Sequence, residues 1–280
     1  MLTENKQSNG ANRHRAAVPL LAAILLCCAA LSKQSIWAKA TPAAATRSAA
    51  PATVMAPVPP AVYKWLRSLD ERGQTLHNFS ADIRMSVHHL RTDEKDINIG
   101  RIWYQTLKGR TRFDIRFNVL VVDGAIARRH ANHDIVFDGR WLIDRDGAAK
   151  IYRKVQVAPP GLHYDPLKLG QGPIPIPIGQ SPAAVEKNFT VSLVPAVKAD
   201  AGLIHLKLVP IDAKAFTFKR LELWIDPKLD LPVRILRIDP DSTPTLAVLT
   251  KVNVNGAMHH DFHVRPPPAN AGWTIDIQRH

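Results

Sequence analysis

Along most of the chain, apolar residues return at every second position. Phe79, Ala81, Ile83, Met85 and Val87 alternate with Ser80, Asp82, Arg84, Ser86 and His88. Phe113, Ile115, Phe117 and Val119 alternate with Arg112, Asp114, Arg116 and Asn118. The same period recurs in Ile204, Leu206 and Leu208, and in Leu221, Leu223 and Ile225. A period of two sends successive side chains to opposite sides of the backbone, so each segment predicts a strand with one apolar face. Shorter strands are predicted at 97–105, 133–137, 140–144, 150–157, 189–194, 232–239, 245–254, 260–264 and 273–277. Asp138-Gly139, Asp146-Gly147, Asp226-Pro227, Asp239-Pro240 and Asn255-Gly256 supply turn chemistry between them.

Two segments break this rhythm. Over residues 61–76, Val62, Trp65, Leu66 and Leu69 recur at helical spacing, with Lys64, Arg67, Asp70 and Glu71 on the other side. That predicts one amphipathic helix ending near Gly73. Residues 158–182 hold seven prolines and four glycines, which excludes a regular strand or a long helix. Ile174, Ile176 and Ile178 alternate with prolines there and suit an extended strip resting on an apolar surface. The pattern alone therefore predicts one domain: a meandering antiparallel sheet that curls, with a helix and a proline-rich lid over its apolar concave face.

Composition narrows the setting. There are 22 prolines in 280 residues, which disfavours an all-helical protein. The first forty residues have the three parts of a secretory signal: Arg13-His14-Arg15, the uncharged stretch Ala16–Ser32, and Ala38-Lys39-Ala40 as a small-x-small cleavage site. An uncleaved N-terminal anchor is the alternative. Residues 41–60, rich in alanine and proline, read as a linker, and 61–280 as the domain. Both cysteines, Cys27 and Cys28, fall in the signal, so the exported chain carries no disulfide or thiol chemistry. The whole chain has a net charge of +13; losing residues 1–40 removes five basic and one acidic residue and leaves +9. An exported basic protein has little access to nucleic acid, and none is expected as a partner.

Candidate chemistry is sparse. No nucleophile elbow, zinc-protease helix or glycine-rich phosphate loop occurs. In a strand, His259, Asp261 and His263 would share one face as zinc ligands, but a polar strand face accounts for them, and no metal or cofactor is expected. His88 and His89 point to opposite sides of their strand, and His130 and His133 flank a loop. Asp144, Asp146, Asp226 and Asp230 read as turn residues. No catalytic residue is assigned.

Several motifs in order carry a resemblance. They are Asn78-Phe79-Ser80-Ala81-Asp82 after the helix, Gly100-Arg101-Ile102-Trp103-Tyr104, and Phe137-Asp138-Gly139-Arg140-Trp141-Leu142 with Ile151-Tyr152 on the return. Leu223-Trp224-Ile225-Asp226-Pro227 with Leu231-Pro232-Val233-Arg234-Ile235 follows, and then Asp261-Phe262-His263-Val264-Arg265-Pro266-Pro267. Together they resemble the periplasmic outer-membrane lipoprotein carriers, the LolA-type lipoprotein-sorting family, over about residues 61 to 280. The resemblance implies a mainly β fold with a few helices (α+β), an open antiparallel half-barrel lidded by helices. It also implies a non-enzymatic carrier that takes up acyl chains of lipoproteins or lipids and shuttles them between membranes through the periplasm. Inner- and outer-membrane transfer proteins would be its partners and a monomer its working form. In the family a lysine–arginine–proline turn controls the lid; here Lys108 and Arg110 stand near that place without the proline. The expected cavity lining is Ile83, Met85, Trp103, Phe113, Ile115, Phe117, Trp141, Leu221, Leu223 and Ile225. The expected lid residues are Trp65, Leu66, Leu69, Ile174, Ile176 and Ile178. A regulatory, sensing or scaffold module of the envelope on the same half-barrel is the second reading.

Overall fold

In the computed structural model, residues 59–107, 109–157, 169, 176–200 and 202–279 are described. The expected signal at 1–40, residues 41–58 of the expected linker at 41–60, Lys108 and Ile174 lie outside them. The sheet has twelve strands: β1 (Asn78–His89), β2 (Glu94–Leu107), β3 (Arg110–Val122), β4 (Ala125–Phe137), β5 (Trp141–Asp146), β6 (Ile151–Gln156), β7 (Phe189–Val194), β8 (Ile204–Pro210), β9 (Arg220–Asp226), β10 (Leu231–Ile238), β11 (Pro244–Val254) and β12 (Thr274–Gln278). Among the described residues two α-helices accompany it, α1 (Pro60–Thr75) and α2 (Pro182–Glu186).

The spatial order is β12-β6-β5-β4-β3-β2-β1-β11-β10-β9-β8-β7. Two meanders, β1 to β6 and β7 to β11, join where β1 pairs antiparallel with β11, Phe79 opposite Val254 and Val87 opposite Thr245. The sheet is open: β12 and β7 are its two edges, as the expected half-barrel requires. No described helix is long and apolar enough to cross a membrane.

Strands β1 to β4 run 12 to 14 residues, longer than the alternation predicted. For β3 and β4 the added length runs to a hairpin of Asp123 and Gly124, both with positive φ (48° and 82°), the geometry whose twist matches paired strands. Alternation also shifts inside β3. Phe117 pairs with Gly100 and Val119 with Ile99, so Asn118 is an extra residue. This bulge turns Val119 away from the face that Phe117 occupies. Gly100 makes the bulge feasible, since a Cβ there would lie 1.9 Å from the Arg116 carbonyl oxygen.

The predicted strand at 260–264 does not pair. After β11 the chain crosses the outer face of the sheet as an extended strap, with Phe262, Val264 and Pro267 buried. It then lays β12 parallel to β6, Thr274 opposite Ile151. Asn255 ends β11 without forming a hairpin. Its Oδ1 accepts from the backbone N–H groups of His77 (2.8 Å) and Asn78 (3.2 Å), and its Nδ2 donates to the Thr75 carbonyl (2.8 Å).

Candidate functional site: the lidded apolar face

One apolar cluster fills the concave side. Ile83 and Met85 of β1, Phe113, Ile115 and Phe117 of β3, and Leu221, Leu223 and Ile225 of β9 are all buried in it. The alternation identified these side chains because their strands keep one face inward along their central stretches. Ile102, Tyr104, Ile135, Phe137, Leu142, Leu206 and Leu208 complete the floor. An aromatic group at the β7 end, Phe189 with Phe216 and Phe218 (ring centroids 4.5 and 6.0 Å), was missed, since only Phe189 lies in a strand.

The same cluster contains its cover. Leu66 and Leu69 of α1 are buried in it with Val62, and Trp65 packs at its margin. Ile176, Ile178 and Leu169 of the proline-rich segment are buried there too, and Val185 comes from α2. The two lid elements meet at bare backbone. The Gly179 N–H donates to the Leu69 carbonyl at 3.1 Å, and a Cβ on Gly73 would lie 2.2 Å from the Gly179 Cα. Polar ties from α1 to the sheet gather at its C-terminal half. Ser68 hydroxyl donates to the Asp230 carboxylate, Arg72 Nε donates to the Leu229 carbonyl at 2.7 Å, and Asn255 holds the Thr75 carbonyl. Among the described residues, none of the polar ties from the first two turns reaches the sheet: Arg67 there bonds only Glu71 of the same helix, at 2.7 Å. The helix's polar ties to the sheet thus lie at one end, and packing alone holds the other.

Two expected lining residues are placed elsewhere. Trp103 sits between the inward Ile102 and Tyr104 and so points out, stacking on His260 with ring centroids 4.0 Å apart. Trp141 precedes the inward Leu142 and joins a separate outer cluster of Val136, Ile143, Tyr152, Val264 and Trp273. The physical reason is the strict two-residue period, which admits only one member of each adjacent apolar pair to the inside. His259, Asp261 and His263 are exposed, and no group of three potential metal ligands converges among the described residues. The engaged histidine is His260, whose Nε2 lies 2.7 Å from the fully buried Asp114.

An ionisable pair, His133 and Asp144, lies inside. His133 belongs to β4, not to a loop, and shares the inward side of Ile135 and Phe137. Its Nε2 is 2.8 Å from Asp144 Oδ1, and both residues are buried. Asp144 is thus a strand residue on the inner face rather than a turn residue; the period of two through His133, Ile135 and Phe137 was the available signal. Burial by itself lowers the His133 pKa, but the hydrogen bond to Asp144 and the charges of Asp144, Asp146 and Asp134 outweigh it and raise it above 6.5. A raised folded-state value means that the pair's stabilisation is fully present below about pH 6.5 and is lost as pH rises through the folded value. Wild type should therefore lose more stability than His133→Gln between about pH 6 and about pH 9. Urea midpoints at the two pH values check this, and parallel losses in both proteins would refute it.

Comparison with known proteins gives likenesses of structure. No family model matches the chain, and no curated protein matches it. Among solved structures it resembles a chain of the Pseudomonas aeruginosa MucA/MucB complex at 15% identity and a TM-score of 0.43, over 73% of this chain and 61% of that one. The match thus spans about three fifths of that chain. It also resembles an outer membrane lipoprotein-sorting protein domain from Vibrio parahaemolyticus, at 11% identity and a TM-score of 0.35, covering 72% and 96% of the two chains. A LolA superfamily protein from Nitrosomonas europaea matches at 10% identity and a TM-score of 0.32, covering 70% and 94%. At these identities the likeness is one of fold.

Proposed function

We propose that the protein is a non-enzymatic carrier that holds acyl chains of lipids or lipoproteins against the concave face of its sheet. The observation behind this is that the apolar floor and its cover form one continuous cluster, while the helix's polar ties to the sheet lie at one end. The lid occupies the place a cargo would take. Lifting Val62, Leu66, Leu69, Ile176 and Ile178 into water would cost about 1.5–3 kcal/mol each. An acyl chain of about sixteen carbons gains on the order of 10 kcal/mol at about 0.8 kcal/mol per methylene. The two sums are similar, so exchange of lid for cargo is nearly balanced and reversible, as a shuttle needs.

In this reading residues 1–40 direct export to the periplasm, 41–60 form a linker and 61–280 the carrier domain. The cavity is lined by Ile83, Met85, Phe113, Ile115, Phe117, Leu221, Leu223 and Ile225. The partners are membranes or transfer proteins that deliver and receive the cargo. Titration with a fluorescent hexadecanoyl probe tests it. Saturable binding is expected, with a change in the emission of Trp65 as the lid moves. Folded protein that takes up no probe, and co-purifies with no lipid by mass spectrometry, would sink the proposal.

A further inference from the structure

On the outer face, remote from the apolar interior, the strap and the sheet border an open groove of about 440 Å³. Its floor is Arg116 of β3, Asp134 of β4 and Arg145 of β5, and its wall is His263, Val264, Arg265 and the three prolines that follow. The floor residues are register neighbours, Arg116 opposite Asp134 and Asp134 opposite Arg145. Each guanidinium is held from one side. Arg116 donates through Nε and Nη2 to Asp114 (2.9 and 2.7 Å) and through Nη2 to the Asp261 carbonyl (3.2 Å). Arg145 Nη1 donates to Asp134 at 3.3 Å, and its guanidinium lies over Trp273, 5.3 Å from the ring centre.

These contacts orient the floor without saturating it. Arg145 Nε is buried with no acceptor among the described residues. Burial raises the Asp134 carboxyl despite the opposing charges of Arg116 and Arg145, which weakens the one acid in the lining. Arg265 and His263 are exposed and have no acidic partner among the described residues. The lining thus offers two guanidinium groups oriented by their partners, Arg116 and Arg145, and an exposed third, Arg265, beside a proline and valine wall. Guanidinium groups match phosphate oxygens in geometry and charge. The volume exceeds what a bare ion needs and falls in the range of about 300–1,000 Å³ usual for small-molecule sites.

We propose that this groove binds a phosphate group carried on a small organic body, with Arg145, Arg265 and His263 contacting the phosphate and the prolines contacting the body. A phospholipid headgroup and a soluble phosphate ester share that chemistry.

Calorimetric titration with glycerol 3-phosphate, and sedimentation with phosphatidylglycerol or phosphatidylcholine vesicles, test the site in wild type and in Arg265→Ala/His263→Ala. Both substitutions are at exposed positions, and thermal melts check that the variant folds. Wild type is expected to bind glycerol 3-phosphate, and the double variant to bind at least about tenfold more weakly, as loss of charge-assisted hydrogen bonds implies. Added salt should weaken binding in wild type. Variant-sensitive sedimentation with phosphatidylglycerol but not phosphatidylcholine identifies the headgroup as the source. A response to the soluble ester alone identifies a free ligand. Equal binding by variant and wild type, or no binding of either phosphate source, would overturn the site.

Discussion

A valine at position 73 should unseat the lid. Gly73 and Gly179 touch through their backbones, and even a Cβ on Gly73 would lie 2.2 Å from the Gly179 Cα and 2.3 Å from its nitrogen. That nitrogen carries the hydrogen bond to the Leu69 carbonyl. A side chain at 73 must push the strip off the helix, breaking the bond and lifting Ile176 and Ile178 from the floor. Overpacking of this kind costs about 1–3 kcal/mol, equivalent to a fall in melting temperature of about 2–4 °C per kcal/mol for a domain of this size. The larger effect is kinetic. Because the lid occupies the cargo's place, uptake of an acyl probe by Gly73→Val should speed up about tenfold, the equivalent of 1.4 kcal/mol less cost of lifting the lid. Stopped-flow mixing measures it, and a folded variant that takes up probe at the wild-type rate would show that the two glycines do not couple the lid.

Leu223→Asp should destroy the fold. Leu223 is 0% exposed and lies in a cross-sheet row with Leu206 and Ile235 as its paired neighbours. A carboxylate there has no cation within the apolar cluster, and burying it unpaired costs several kcal/mol, a large part of the roughly 5–15 kcal/mol that holds a domain together. No cooperative thermal transition is expected. Leu193→Asp is the contrast. It stands in the same row, paired with Leu206, but on the edge strand β7 and 38% exposed. Its melting curve should stay within a few degrees of wild type. If both variants melt alike, the row does not mark the boundary of the core.

The period of two carried most of the fold into view. It placed eight of the ten expected lining residues inward, because a strand buried on one side cannot slip by a residue without exposing its whole apolar set. It also suggested that the proline-rich segment packs, and Ile176 and Ile178 are buried in the apolar cluster. The misses share a cause, in that the deciding partner is distant in sequence. Trp103 and Trp141 looked inward because they are large and apolar, and only the strap with His260 and Val264 shows what covers them outside. His133 looked like a loop residue because Ala127–Asn132 carries little apolar signal, and its buried partner belongs to the next strand. The outer groove needed three strands and the strap to come together.

The seam between β1 and β11 has a consequence for how the chain reaches this state. Within each meander, neighbouring strands are joined by short connections and can pair as soon as both exist, at little loop-closure cost. The seam joins Phe79 to Val254, so β1 waits for nearly the whole chain to be delivered. At about 5–20 residues per second that wait is on the order of ten to thirty seconds. Throughout it, one side of β1 is a bare edge able to template another chain. Asp82, Arg84 and His88, on the outward side of β1, then act as the nascent chain's guard against aggregation, before they have any place in a finished surface.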